Sequence, residues 1–190
     1  MIANVFQGLG IGMLGPFIVY WFYRAFGVGS GELASLFFII NLAVAVPYLL
    51  AGRVAQIMGS VKTVALTRLL GVFLLLAMVT MPSFHLAALL YTLWMIVFTL
   101  AVPIAQSYLM GVIDRAERAS AAGLTSFPWQ AASSAGPYIT GDLMQHVGIA
   151  LPFELSALLG AVSAALYWIF FRNVLPPEEH ETGADGAAAR

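Results

Sequence analysis

The sequence has no cysteine, which excludes disulfides and thiolate metal sites. Charge is nearly as scarce: Asp, Glu, Lys and Arg make up 9% of 190 residues, where a soluble domain carries roughly 25%. A net charge of -1 offers no basic patch, so nucleic acid is not an expected partner. Catalytic signatures are missing as well. There is no H-E-x-x-H, no G-x-S-x-G and no pair of aspartates inside an apolar run. The three histidines, His85, His146 and His180, lie at or beyond the ends of the apolar runs. These absences argue against an enzyme and against a metal site. No positively charged n-region precedes the first apolar run, so no signal peptide is expected.

What remains is apolar. Hydrophobic residues are 61% of the chain, more than a soluble protein of this size could bury, so the solvent must be lipid. A helix needs about 20 apolar residues to cross the hydrocarbon core. Six segments are expected to do so, near 2–23, 32–51, 61–80, 84–112, 120–142 and 149–171. Together they make an all-α transmembrane bundle over 1–172. The remaining residues, 173–190, are polar and rich in Pro, Gly and Ala, and are expected to form a disordered cytoplasmic tail. Cation placement sets the orientation. Arg53, Lys62 and Arg68 flank the second connection, Arg115 and Arg118 lie in the fourth, and Arg172 and Arg190 follow the last helix. Only Arg24 falls on the other side. The first side is expected to be cytoplasmic, with both termini on it, in a plasma or inner membrane. No Asp, Glu, Lys, Arg or His is expected at mid-membrane depth.

One phrase occurs twice. PYLLAGRVAQIMG begins at Pro47 and PYITGDLMQHVG at Pro137. Each reads Pro-Tyr, a short apolar run, then Gly-x-x-x-Gln-x-x-Gly, with Gly52, Gln56 and Gly59 in one copy and Gly141, Gln145 and Gly148 in the other. Each follows the middle helix of a triplet, on opposite sides of the membrane. That is the pattern of a 3+3 inverted repeat. The charge difference follows the topology, since one copy carries Arg53 and Lys62 and the other Asp142 and His146.

GRVAQIMGSVK, Gly52 to Lys62, resembles the signature loop of the major facilitator superfamily. Gln56 stands where that family prefers Asp, and Ile57 where it prefers Arg. SAGPYITG, with Gly136, Pro137 and Gly141, is similar to the Gly-Pro-x-x-Gly-Gly packing motif of drug–proton antiporters, Thr140 replacing a glycine. DRAERASAAGL, from Asp114, looks like the loop before the eleventh helix of such proteins. The resemblance implies helices seven to twelve of a twelve-helix drug-efflux-like transporter. It implies that Gly52, Arg53, Gln56, Gly59 and Lys62, with Asp114, Arg115 and Arg118, form a cytoplasmic gate network, weakened because Gln56 brings no charge. It also implies a second six-helix half, because one half cannot enclose a path. The abrupt start leads us to expect a fragment rather than a half that pairs with itself.

Polar residues inside the runs are few. Gln7, Asn41, Gln106 and Gln130 are candidates for a substrate-cavity wall, or for hydrogen bonds between helices. Trp129 beside Gln130, with Trp94, Phe98 and Phe17, would add aromatic faces. Gly8, Gly12 and Gly15 before Pro16 fit close helix packing or a flexible, cavity-closing helix. Ser156, Gly160 and Ala164 are expected to serve packing alone. Arg24 and Glu32 could pair across the first external turn. No cofactor is implied. Proton coupling would use a carboxylate of the other half, or Asp142. The expected function is efflux of small amphipathic compounds through the bilayer by alternating access. The competing readings are a sugar or metabolite carrier and a non-transporting scaffold.

Overall fold

Long apolar runs leave the backbone no partner but itself, so in lipid it closes into helices. The computed structural model describes residues 2–113 and 117–172, with the backbone alone at 118, 119 and 121. Its helices are α1 (Ile2–Leu14), α2 (Ile18–Phe26), α3 (Ser30–Ala43), α4 (Ala45–Met58), α5 (Ser60–Thr80), α6 (Phe84–Val112), α7 (Arg118–His146) and α8 (Leu151–Phe171). There is no strand among the described residues. The expected tail, 173–190, lies outside them, as do Asp114, Arg115 and the side chain of Arg118.

Eight helices make six segments because two breaks are internal. Pro16 lacks an N–H and cannot continue α1, so α1 and α2 meet at a bend of 46°. Only Val44 separates α3 from α4, and the two run as one span, Ser30–Met58. That span outruns the expected 32–51. Gly52, Arg53 and Gln56 therefore ride on the last turns of a helix, and the supposed loop shrinks to Gly59. Its φ of 81° is why a glycine stands there, closing α4 and opening α5 in a single residue.

Four segments are long and apolar enough to cross a membrane, and the bent α1–α2 pair makes a fifth. The expected span at 120–142 forms α7, a helix of 29 residues that is less apolar than the other long helices. Ser133 and Gly136 pack on α1, while Thr125, Ser126 and Gln130 face an internal cleft.

Packing between segments follows a two-fold rule. The first segment packs on the fifth and sixth, through α1 on α7 and α8. The fourth packs on the second and third, through α6 on α4 and α5. The third and sixth, α5 and α8, pack on each other. Exchanging the first three segments with the last three returns the same set, as an inverted repeat requires.

The seam along α1 is the tightest. A Cβ added at Gly8 would lie 2.5 Å from the Trp129 carbonyl oxygen. One at Gly12 would overlap the Ser133 backbone, and one at Gly136 the Gly12–Met13 backbone. Three hydroxyls then bind α1 carbonyls: Ser163 Oγ donates to Ala3 at 2.7 Å, Ser156 Oγ to Gly10 at 2.9 Å and Thr140 Oγ1 to Met13 at 3.0 Å. The Ser156–Gly160–Ala164 stripe thus bonds as well as packs. Phe17 and Gly141 meet farther along, a Gly141 Cβ standing 3.8 Å from the Phe17 ring.

The two ends of the bundle differ. Where α2 ends and α6 begins, rings interlock: Trp21–Phe22 at 5.1 Å, Trp21–Phe153 at 5.2 Å, Phe22–Phe84 at 5.7 Å and Phe22–Tyr91 at 5.8 Å. The opposite end has only a small cluster around Ala3, Ala51, Val64, Ile104 and Tyr167. Glu32 does not reach Arg24. Its Oε2 accepts from Gly29 N at 2.9 Å and caps α3 instead.

Gly12→Val should lower unfolding stability by at least about 2 kcal/mol, the cost of overpacking a close seam. Gly123→Ala, where a Cβ meets nothing within 4 Å, should be neutral or slightly stabilising. Unfolding of each variant in mixed micelles measures both.

Candidate functional site: a cleft between two arms

The packing order leaves a gap. α1 with α7 forms one arm, α6 with α4 the other, and α5 with α8 the floor between them. Between the arms lies a cleft of 720 Å³. It sits in the half of the bundle away from the aromatic cluster, reaching Asn4 on α1, Met110 on α6 and Ala122 on α7. Its volume falls in the range of small-molecule sites, roughly 300–1,000 Å³.

The walls combine rings and amides. Trp94 stacks on Phe98 at 5.5 Å with ring planes 14° apart, and on Tyr91 at 5.5 Å and 21°. Trp94 is held by burial and packs beside Gly71. Trp129 faces the cleft from α7. Gln7, Gln106 and Gln130 also line it, with Asn4 beside them. Gln7 Oε1 is out of solvent and has no hydrogen-bond partner among the described residues. A buried amide without a partner is costly, so this oxygen is poised for a ligand or water.

Two expected wall residues lie elsewhere. Phe17 is at the α1–α2 bend and packs toward Gly141. Asn41 is exposed on α3 among Phe38, Ile39 and Leu42, and its Nδ2 donates to the Phe37 carbonyl at 2.7 Å. Its polarity is satisfied by its own helix. The amide at sequence position 41 gave no sign of which way its helix would turn.

The floor carries what the sequence pattern hid. Arg68 is the ninth residue of α5, about 12 Å along the helix from its start. It therefore does not flank a connection but lies near the middle of the 21-residue α5, against the expectation of no charged side chain at mid-membrane depth. Its Nη1 donates to Ser163 Oγ at 2.8 Å, and the Ser163 hydroxyl in turn donates to the Ala3 carbonyl. The guanidinium lies over the Tyr167 ring, 4.8 Å from the centroid. Thus α5, α8 and α1 together position one cation at the cleft. Among the described residues, no Asp or Glu lines the cleft. A positive charge inside a span costs about 3 kcal/mol on insertion scales, so such residues mark function by default.

The expected gate network has only some of its members in view. Arg53, Gln56 and Lys62 are exposed and make no hydrogen bond or ion pair among the described residues. Gly52 is open to space and edges a minor pocket between α4 and α6. Gly136 and Pro137 sit where α7 presses on α1. Asp142 is exposed at the far end and pairs with His146, Nδ1 to Oδ1 at 3.2 Å.

Because no cysteine is present, single cysteines report on the cleft cleanly. Gln106→Cys and Gln130→Cys should react with a water-soluble thiol reagent faster than Asn41→Cys. About tenfold is expected, the effect of a one-unit rise in thiol pKa in an apolar setting.

Comparison with known proteins agrees with this architecture. A family model described as Major Facilitator Superfamily matches residues 1–189. No curated protein and no solved structure matches the chain. The match spans every helix described above, and the chain belongs to the Major Facilitator Superfamily of membrane transporters.

Proposed function

We propose that this chain is one half of a secondary transporter, and that its cleft loads a small amphipathic molecule from the cytoplasm for export. The observation that carries the reading is the cleft itself, with Trp94, Phe98 and Trp129 as apolar faces and Gln7, Gln106 and Gln130 as polar contacts. Flat rings and few amides suit a ligand with an apolar body and a small polar head.

Cation placement supports the direction. Arg53, Lys62 and Arg172 lie at the end of the bundle nearest the cleft, and Arg24 lies at the aromatic end. The positive-inside rule makes the first end cytoplasmic. The cleft then faces the cytoplasm while the interlocked rings close the outer end, an inward-facing state. A second six-helix half, either a separate segment or another copy, would cover the open side opposite α5 and α8. Alternating access would follow from rocking the two halves about the bound ligand.

Intrinsic fluorescence tests binding without the second half. The chain has four tryptophans, and only Trp94 and Trp129 line the cleft. Titrating a naphthalene-bodied amphipath into the chain in lipid nanodiscs should quench emission saturably. Trp129→Phe should remove much of that change, whereas Trp21→Phe, in the aromatic cluster, should leave it intact. Equal signal from both variants, or saturable binding of disaccharides alone, would overturn the amphipath reading.

A further inference from the structure

The composition of the cleft is lopsided. Among the described residues, Arg68 is its sole charged residue. A guanidinium has five N–H donors, and among the described residues one hydrogen bond accounts for a single donor, that to Ser163. Acidic side chains in the described structure are all at helix ends. Glu32 caps α3, Glu117 precedes α7, Asp142 pairs with His146, and Glu154 is in the first turn of α8. None approaches Arg68. Two orphan polar atoms accompany it. Tyr167, beneath the guanidinium, is 5% exposed and its hydroxyl has no partner among the described residues. Gln7, one turn beyond the Ala3 carbonyl that Ser163 binds, holds the unpartnered amide oxygen.

A purely structural Arg68 would have its donors filled and its charge paired, since a desolvated ion otherwise costs more than it returns. Here the residue is oriented by Ser163 and Tyr167, while its remaining donors have no acidic partner. Orientation without neutralisation is the arrangement of a receptor for an anion. Arginine also suits that task because its planar fork matches a carboxylate or sulfonate in a two-point contact.

We propose that the ligand of this cleft carries an anionic group, a carboxylate or sulfonate on a flat apolar body, and that Arg68 pairs with that group. The inference rests on the transport reading above and narrows it. A neutral ligand would leave the charge unpaired, and a cationic one would be repelled. The rings of Trp94, Phe98 and Trp129 take the apolar body. Gln7 stands on α1, beside the carbonyl that anchors the Arg68–Ser163 bond.

Three matched probes test it: 2-naphthoate, 2-naphthamide and 2-naphthylmethylammonium, titrated by tryptophan quenching into the full chain in zwitterionic nanodiscs. Naphthoate should bind at least about tenfold tighter than the amide, the least that a hydrogen bond to a charged group contributes. Arg68→Gln should erase that preference while keeping amide binding, which also shows that the variant is folded. Arg68→Lys, with the charge but not the fork, should retain part of it. Naphthamide or the ammonium binding as tightly as naphthoate would overturn the anion proposal and leave the transport reading standing. An undiminished preference in Arg68→Gln would overturn it too. Failure of all three probes to bind would overturn both.

Discussion

Everything in this bundle hangs on how closely α1 can approach its neighbours. Lipid gives helices no hydrophobic reason to associate, so contact must come from packing and from polar bonds. Gly8, Gly12 and Gly136 remove the side chains that would hold α1 and α7 apart. Ser163, Ser156 and Thr140 then reach α1 carbonyls that a bulkier seam would bury behind alkyl groups. The seam fixes one arm against the floor. The other arm is fixed by α6 lying on α4 and α5. With both arms committed to the floor and little to join them to each other, a space between them is unavoidable.

That space determines where polarity can be tolerated. Arg68, Gln7, Gln106 and Gln130 cannot face lipid cheaply, and the cleft is where they are found. α7 can be more polar than the other long helices because α1 covers one side of it and the cleft takes the other. The aromatic cluster does the opposite job at the far end. Its edge-to-face contacts and buried core pack α2, α6 and α8 together there. A helical bundle that is closed at one end and hollow at the other is a consequence of where its glycines, hydroxyls and rings fall.

Much of this was legible in the residues, for physical reasons. Apolar run length pointed to most of the helical segments, because bilayer thickness sets helix length, though the second runs on to Met58 and the fifth is less apolar than the rest. The repeated Pro-Tyr phrase pointed to inverted triplets, and the exchange symmetry of the packing matches it. Gly8 and Gly12 pointed to a close seam because small residues have few other uses at that spacing. Rotation about each helix axis was harder to read. Asn41 looked as polar as Gln106, yet it bonds to its own helix on the outer face while Gln106 lines the cleft. Phe17 was displaced by the bend at Pro16. Arg68 was misplaced for a different reason: cations near helix ends follow the positive-inside pattern, and eight residues of helix separate a flank from a floor. A signal did exist. Arg68, Ser163 and Tyr167 stand at spacings that face one another once α5 and α8 are paired, but that pairing is a tertiary fact.

The central claim is that two arms share a floor and are separated by a cleft. Pairs of cysteines in the naturally cysteine-free chain test it most directly in native membranes, using a short thiol cross-linker. Ala3→Cys with Ser163→Cys, and Met13→Cys with Thr140→Cys, span the hydrogen-bonded seams and should couple efficiently. Asn4→Cys with Met110→Cys stands on opposite walls of the cleft and should couple poorly. Efficient coupling of the third pair together with failure of the first two would contradict the account.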